Sequence, residues 1–131
     1  MTQFLIVKCS VGKPQAGDSL LSIIISRQAL QGSTQFTELA SINLYDGGRV
    51  TNIGHTTAAL TGSISTNDAS HISMSFSRPT RNETGLYACQ ANVLDALGHP
   101  RTIVSDVLVQ EEMTLLQQYA HTLQGLGDQI N

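Results

Sequence analysis

The two cysteines of the chain, Cys9 and Cys89, sit in the same phase of two alternating apolar runs. In the first run, Leu5, Val7 and Cys9 alternate with Ile6 and Lys8. In the second, Gly85 to Val93, the residues Tyr87, Cys89 and Ala91 share one face. A period of two belongs to a half-buried β-strand, because successive side chains point to opposite sides. Both cysteines therefore face inward on strands far apart in the chain. Two outcomes follow from that placement. In a reducing compartment they are inert buried thiols. In an oxidising one, strands of opposing sheets can bring them within bridging distance, and closing so long a loop stabilises by about 4–5 kcal/mol in the chain-entropy model.

The remaining chain repeats the pattern. Leu20 to Ser26 places Leu21, Ile23 and Ile25 on one face and Ser22, Ile24 and Ser26 on the other. Phe36 to Leu44, a weaker Arg49 to Ile53, Ala58 to Ser65, and Ser70 to Phe76 (Ile72, Met74 and Phe76 inward) read as further strands. The last is Thr102 to Gln110, with Ile103, Val107 and Val109 inward. Turn chemistry separates them: Gly12 to Asp18, Asp46-Gly47-Gly48, Asn67-Asp68, the corner Pro79 to Thr84, and Leu94 to Pro100. About eight short strands without helices between them predict an all-β antiparallel sandwich or barrel.

Composition agrees with a folded, largely β chain. Hydrophobic residues make up 40% of the 131 positions and charged residues 13%, so the chain can bury a core. The net charge of -3 and the scattered Lys8, Lys13, Arg27, Arg49, Arg78, Arg81 and Arg101 argue against a nucleic-acid partner. No apolar run approaches the roughly 20 residues needed to insert in a membrane. Phe4 to Val7 is too short for a leader, so a secreted form is expected to have lost its leader ahead of Met1.

Residues 111–131 change period. Leu116, Tyr119, Leu123, Leu126 and Ile130 are spaced by three and four, a heptad seam. Glu111 and Glu112 fall where a helix N-terminus favours negative charge. The chain therefore divides into a domain over 1–110 and the start of a helical, multimerising segment over 111–131, with a single helix folded back on the domain as the alternative.

The corner before Cys89 is the most specific stretch. Tyr87 can turn its hydroxyl back to the backbone of the preceding corner, and Gly85 lets the chain pass close there. Glu83-x-Gly85-x-Tyr87-x-Cys89 resembles the Asp-x-Gly-x-Tyr-x-Cys signature of the immunoglobulin superfamily, with Glu in place of Asp. The resemblance covers most of residues 2–110 and implies a Cys9–Cys89 disulfide, a tyrosine corner made by Tyr87, Gly85 and Glu83, and a variable-like sandwich. Two departures accompany it. The core Trp is missing, so Ile23 or Ile25 must fill its place. The strand that should precede that of Cys9 is absent or cut off, which leaves an open sheet edge near the N-terminus. The arginine that usually pairs with the corner acid also lacks a counterpart near Ala58, with Arg49, Arg78 or Arg81 as substitutes.

More narrowly, "LSIIISR", "FTELASI" and "RPTRNETGLYACQANVLDALGHP" are similar to the N-terminal immunoglobulin domains of molluscan fibrinogen-related, lectin-type proteins. That likeness implies a secreted innate-immune module binding microbial or parasite surface molecules within a multimer. The other function class is an adhesion module that self-associates.

Chemistry for catalysis is not legible. His55, His71, His99 and His121 lack metal-ligand spacing, and no nucleophile or phosphate motif appears, so neither an enzyme nor a cofactor is expected. Asn82-Glu83-Thr84 is a glycosylation triplet on an exposed corner. Binding in such sandwiches uses loops at one end. Here these are Gly12–Ser19, Asp46–Val50 and Leu94–Arg101, which offer Lys13, Gln15, Asp18, Asp46, Arg49, Asp95, His99 and Arg101 to glycan or protein surfaces.

Overall fold

The computed structural model describes residues 5–29, 32, 34–66, 68–79, 83–109 and 119–123. Among them the chain forms β1 (Leu5–Val11), β2 (Ser19–Gln28), β3 (Phe36–Asn43), β4 (Val50–Thr51), β5 (Ala59–Ser63), β6 (Ser70–Phe76), β7 (Gly85–Leu94), β8 (Pro100–Val109) and β9 (Tyr119–Leu123), with one 3-10 turn at Leu44–Asp46. They make two sheets, ordered β5-β6-β1-β9 and β4-β3-β2-β7-β8. Every pairing but β1 with β9 is antiparallel.

Alternation sets the core. In β1, Leu5, Val7, Cys9 and Val11 are buried; in β6, Ile72, Met74 and Phe76; in β7, Tyr87, Cys89, Ala91 and Val93. Cys9 in the first sheet and Cys89 in the second form the disulfide, with Cα atoms 5.7 Å apart. The expected bridge is therefore present, and it joins the sheets through strands internal to both. Ile25 stands opposite Cys89 in the β2–β7 register and Ile23 opposite Ala91, both fully buried, so the pair fills the region where a tryptophan was expected. The side chains of Val107 and Val109 lie outside the described residues.

Two irregularities correct the phase read from the sequence. Between β2 and β7 the register shifts between Leu20 and Ser22, which leaves Leu21 as the extra residue. Leu20 consequently turns inward and Leu21 is only half-buried, the reverse of strict alternation from Leu21. A second shift, between Ile25 and Ser26 against β3, leaves Leu39 unpaired between Ala40 and Glu38. Leu39 and Ala40 are then both buried, which a period of two does not allow.

At the end of the sandwich where β7 begins, the Tyr87 hydroxyl donates to the Glu83 carbonyl at 2.6 Å. Gly85 has φ of +130°, a conformation that disfavours any Cβ, whereas space is ample: an added Cβ would meet only the Arg27 stem at 3.7 Å. Arg27 lies with its guanidinium carbon 5.9 Å from the Tyr87 ring centre. Burial pushes the Tyr87 hydroxyl's pKa up, while Arg27 beside it draws it back down in part. Arg27 was not among the arginines expected here. Arg49 follows the turn at the opposite end of β3, Arg78 is exposed, and Arg81 lies outside the described residues.

The C-terminal segment departs most from expectation. Residues 119–123 are not helical: they form β9, pairing in parallel with β1 from Val7↔Tyr119 to Val11↔Leu123. The cause is the open edge. Towards that side the described residues offer β1 no other sheet partner, and five extended residues satisfy its N–H and C=O groups where a helix could not. Tyr119 and Leu123 thus belong to a strand, while Leu116, Leu126 and Ile130 lie outside the described residues.

The corner yields a direct expectation. Tyr87→Phe keeps the ring and its contact with Arg27 but removes the hydroxyl's bond to Glu83. The urea midpoint should fall by an amount equivalent to about 1–2 kcal/mol; an unchanged midpoint means the bond contributes nothing.

Candidate recognition surface

The strand directions gather three of the loops at one end: 12–18 between β1 and β2, 44–49 between β3 and β4, and 95–99 between β7 and β8. Ser19 pairs with Leu94 and Leu94 with Pro100, so the roots of the first and third loops sit side by side.

Asp95 organises the third loop. Its Oδ1 accepts from the N–H groups of Leu97 at 2.9 Å and His99 at 2.8 Å. The Asp95 N–H donates to the His99 carbonyl at 2.9 Å, and the Gly98 N–H to the Asp95 carbonyl at 2.9 Å. Gly98 at φ of +83° supplies the left-handed step that closes the turn. The backbone N–H of His99 is the first cause of a lowered Asp95 pKa, opposed by desolvation and helped by the Leu97 N–H and by the charges of His99 and Arg101.

Arg101, at the start of β8, ties this loop to the first. Its Nη2 lies 3.9 Å from Asp95 Oδ2 and 3.8 Å from Asp18 Oδ2. The Asp18 side chain is only 7% exposed, and neither its Oδ2 nor Arg101 Nε has a hydrogen-bond partner, so the link is an ion pair rather than a hydrogen bond. The loops also touch through backbone. A Cβ on Gly17 would stand 2.7 Å from the Ala96 Cβ, and Gly17 has φ of +88°, so glycine is required there on both counts. Loops 12–18 and 95–99 therefore act as one braced unit.

The polar residues picked out by sequence divide accordingly. Asp18, Asp95 and Arg101 are drawn into this internal network. Lys13, Gln15 and His99 are exposed on the braced unit, and Asp46 and Arg49 are exposed on the loop after β3. That loop has its own scaffold: Asn43 Oδ1 accepts from the Tyr45 N–H at 2.9 Å, and the Gly48 N–H donates to the Asn43 carbonyl at 3.2 Å.

Sequence reasoning missed two apolar residues that this end presents, Leu97 at 80% exposure and Tyr45 at 79%. The signal was their position at turn tips. The two turns lie three strand spacings apart in the sheet, about 14 Å, close enough for one partner to cover both. It also missed a polar ladder on the outer sheet face: Asn92 Nδ2 donates to Ser22 Oγ at 2.8 Å, while Asn92 Oδ1 accepts from Gln90 Nε2 at 3.1 Å and Thr102 Oγ1 at 3.1 Å. Among the described residues no group of His, Cys, Asp and Glu is placed to hold a metal ion, and no helix is long and apolar enough to cross a membrane. Asn82 lies outside the described residues.

The Asp95 network should respond to acid in a defined direction. With the folded pKa below the ordinary aspartate value, the order it lends the turn is complete above that value and is lost as pH falls through the lowered one. The amide resonances of Leu97 and His99 should therefore move together in an NMR titration, with a midpoint below that of an unperturbed aspartate. A midpoint at or above the ordinary value means the turn is not held by the carboxylate.

No family model matches the sequence, and no curated protein matches it. Among solved structures, murine CRIg superposes with a TM-score of 0.54, spanning 92% of this chain and 98% of that one, at 6% sequence identity. At that identity the likeness speaks for the fold alone. Together with the two-sheet order, the inter-sheet disulfide and the Tyr87 corner, it makes the architecture an immunoglobulin-like antiparallel β-sandwich of variable-like type.

Proposed function

We propose that the chain is a recognition module, a secreted component of innate immunity that engages microbial or parasite surface glycans or proteins within a multimeric, lectin-type protein. The observation that carries this reading is the bracing of loops 12–18 and 95–99 by Asp18, Asp95 and Arg101. Loops already held in one shape lose little conformational entropy on binding, so side chains displayed on them bind more tightly than the same side chains on free loops. Lys13, Gln15 and His99 supply donors for sugar hydroxyls or acidic groups, Asp46 and Arg49 flank them, and Leu97 and Tyr45 give apolar surface for a sugar face or a protein pocket. No catalytic step enters this reading. The disulfide suits an oxidising, extracellular setting, and the Asn82 triplet is a glycosylation acceptor there. The resemblance to the immunoglobulin domains of molluscan fibrinogen-related proteins supports the immune context and the multimeric setting. Self-adhesion through a bare β1 edge is the weaker alternative, because β9 already covers that edge.

The test is binding of the 131-residue chain to immobilised lipopolysaccharide, peptidoglycan and fixed bacteria, compared with a Lys13→Ala, Leu97→Ala, His99→Ala variant. These side chains are exposed, so the urea midpoint should stay put while affinity drops at least about tenfold, roughly 1.4 kcal/mol. Equal binding by the two proteins removes the loop end from recognition.

A further inference from the structure

We infer that the outer edge of β1 is a strand-acceptor site, and that its occupant, residues 119–123, can be supplied by a second copy of this chain as well as from within. This does not rest on the recognition reading.

The two sides of β1 are held unequally. Towards β6 the pairing is antiparallel along all seven residues, Leu5↔Phe76 to Val11↔Ser70. Towards β9 it is parallel and covers Val7 to Val11. Parallel ladders are slightly weaker per residue, so the second side is the weaker one. Yet it has to be covered. β1 is a flat alternation of Leu5, Val7, Cys9 and Val11 with Lys8 as its only charge; it holds no proline, and no bulge interrupts either pairing. Such an edge, left bare, pairs with any extended segment that reaches it.

The occupant is weakly specified by its own sequence. Apolar residues around it fall at Leu116, Tyr119, Leu123 and Leu126, steps of three and four rather than two. A pattern that does not match the strand period gives little preference for staying in the strand. The connection is long as well. Residues 110–118 join β8 to β9 and can extend about 30 Å, whereas packed sheets lie about 10 Å apart. A tether of that reach raises the local concentration of the segment only to the millimolar range. A second copy, or several held together in a multimer, can match that concentration and deliver the same five residues in the same parallel register. Exchange then links copies through β1 with no new interface chemistry.

The experiment uses the full chain carrying His121→Pro and Thr122→Pro, adjacent residues at the centre of β9 of which one directs its N–H at β1. Hydrogen exchange at the amides of β1 is read residue by residue. Alternate amides of β1 face β6 and β9, so each variant carries its own folding control. The set facing β6 should keep its protection. The set facing β9 should exchange at least about tenfold faster. A synthetic peptide of residues 117–125 is then added. Since the tethered segment fills the site at a millimolar effective concentration, the free peptide should bind saturably at or below about 1 mM and restore the lost protection. The same peptide with proline at positions 121 and 122 should do neither. If the β9-facing amides stay protected in the variant, β9 is not what covers the edge. If they lose protection but several millimolar peptide restores none of it, the site does not accept the segment from outside. Either result overturns the inference. Loss of protection on both sides of β1 calls for the milder Ala120→Gly variant, read in the same way, where unchanged exchange on the β9 side also counts against it.

Discussion

The Cys9–Cys89 bridge is the point through which the two sheets are referred to each other. It joins β1 and β7, each internal to its own sheet, so each sheet is anchored near its middle. Around it the core is aliphatic: Ile23, Ile25, Ile42, Ile72, Met74 and Leu20 are fully buried, with Tyr87 the one fully buried aromatic among the described residues. Isoleucines fill the centre in smaller pieces than a single indole would. Good packing then depends on the sheets holding one relative position, which a covalent link across them enforces. Because the link acts largely by restricting the unfolded chain, a core without tryptophan can still leave a stable fold.

From that anchor the two ends of the sandwich differ in character. At one end, Tyr87, Glu83, Gly85 and Arg27 close a corner whose hydrogen bond ties a core side chain to loop backbone. At the other, Asp18, Asp95 and Arg101 join two loops through charge, with carboxylate and guanidinium atoms at 3.8 to 3.9 Å. The first is a neutral hydrogen bond in a buried setting. The second is an ion pair near water, and most of its worth lies in fixing loop geometry, since partly exposed pairs add little stability. The corner and the braced loops thereby lie at opposite ends of the strand axis, so changes at the loop end can be made without loosening the corner.

What the sequence disclosed follows from what is periodic. Ser70–Phe76 alternates without interruption, and β6 occupies those same residues. The Cys9 strand alternates as cleanly, the Cys89 strand does so apart from the buried Ala88, and the bridge between them is present. Periodicity failed at Leu21 and Leu39, because a bulge changes phase at a single residue and leaves no local signal in a run as apolar as Leu20 to Ile25. The loop end was legible as a place and less so as chemistry. Asp18, Asp95 and Arg101 look like displayed polar residues in the sequence, but their pairing depends on two loops separated by the whole of β2 through β7. Arg27 escaped notice for a similar reason: it lies on β2, opposite Tyr87 in the register, and only the pairing of those strands brings them together.

The tail shows how a sheet overrides a local pattern. Spacing by threes and fours favours a helix, but a short isolated helix is marginal in water, and two glycines in this one, Gly125 and Gly127, each cost it about 1 kcal/mol. Against that weak preference stands an edge whose backbone groups have no other sheet partner among the described residues. Each ladder bond formed there replaces a bond to water at little gain, yet covering the edge also shields the inward residues of β1 from any other strand that could add to it. The competition is between a marginal helix and a marginal strand, and the five-residue pairing with β1 tips it.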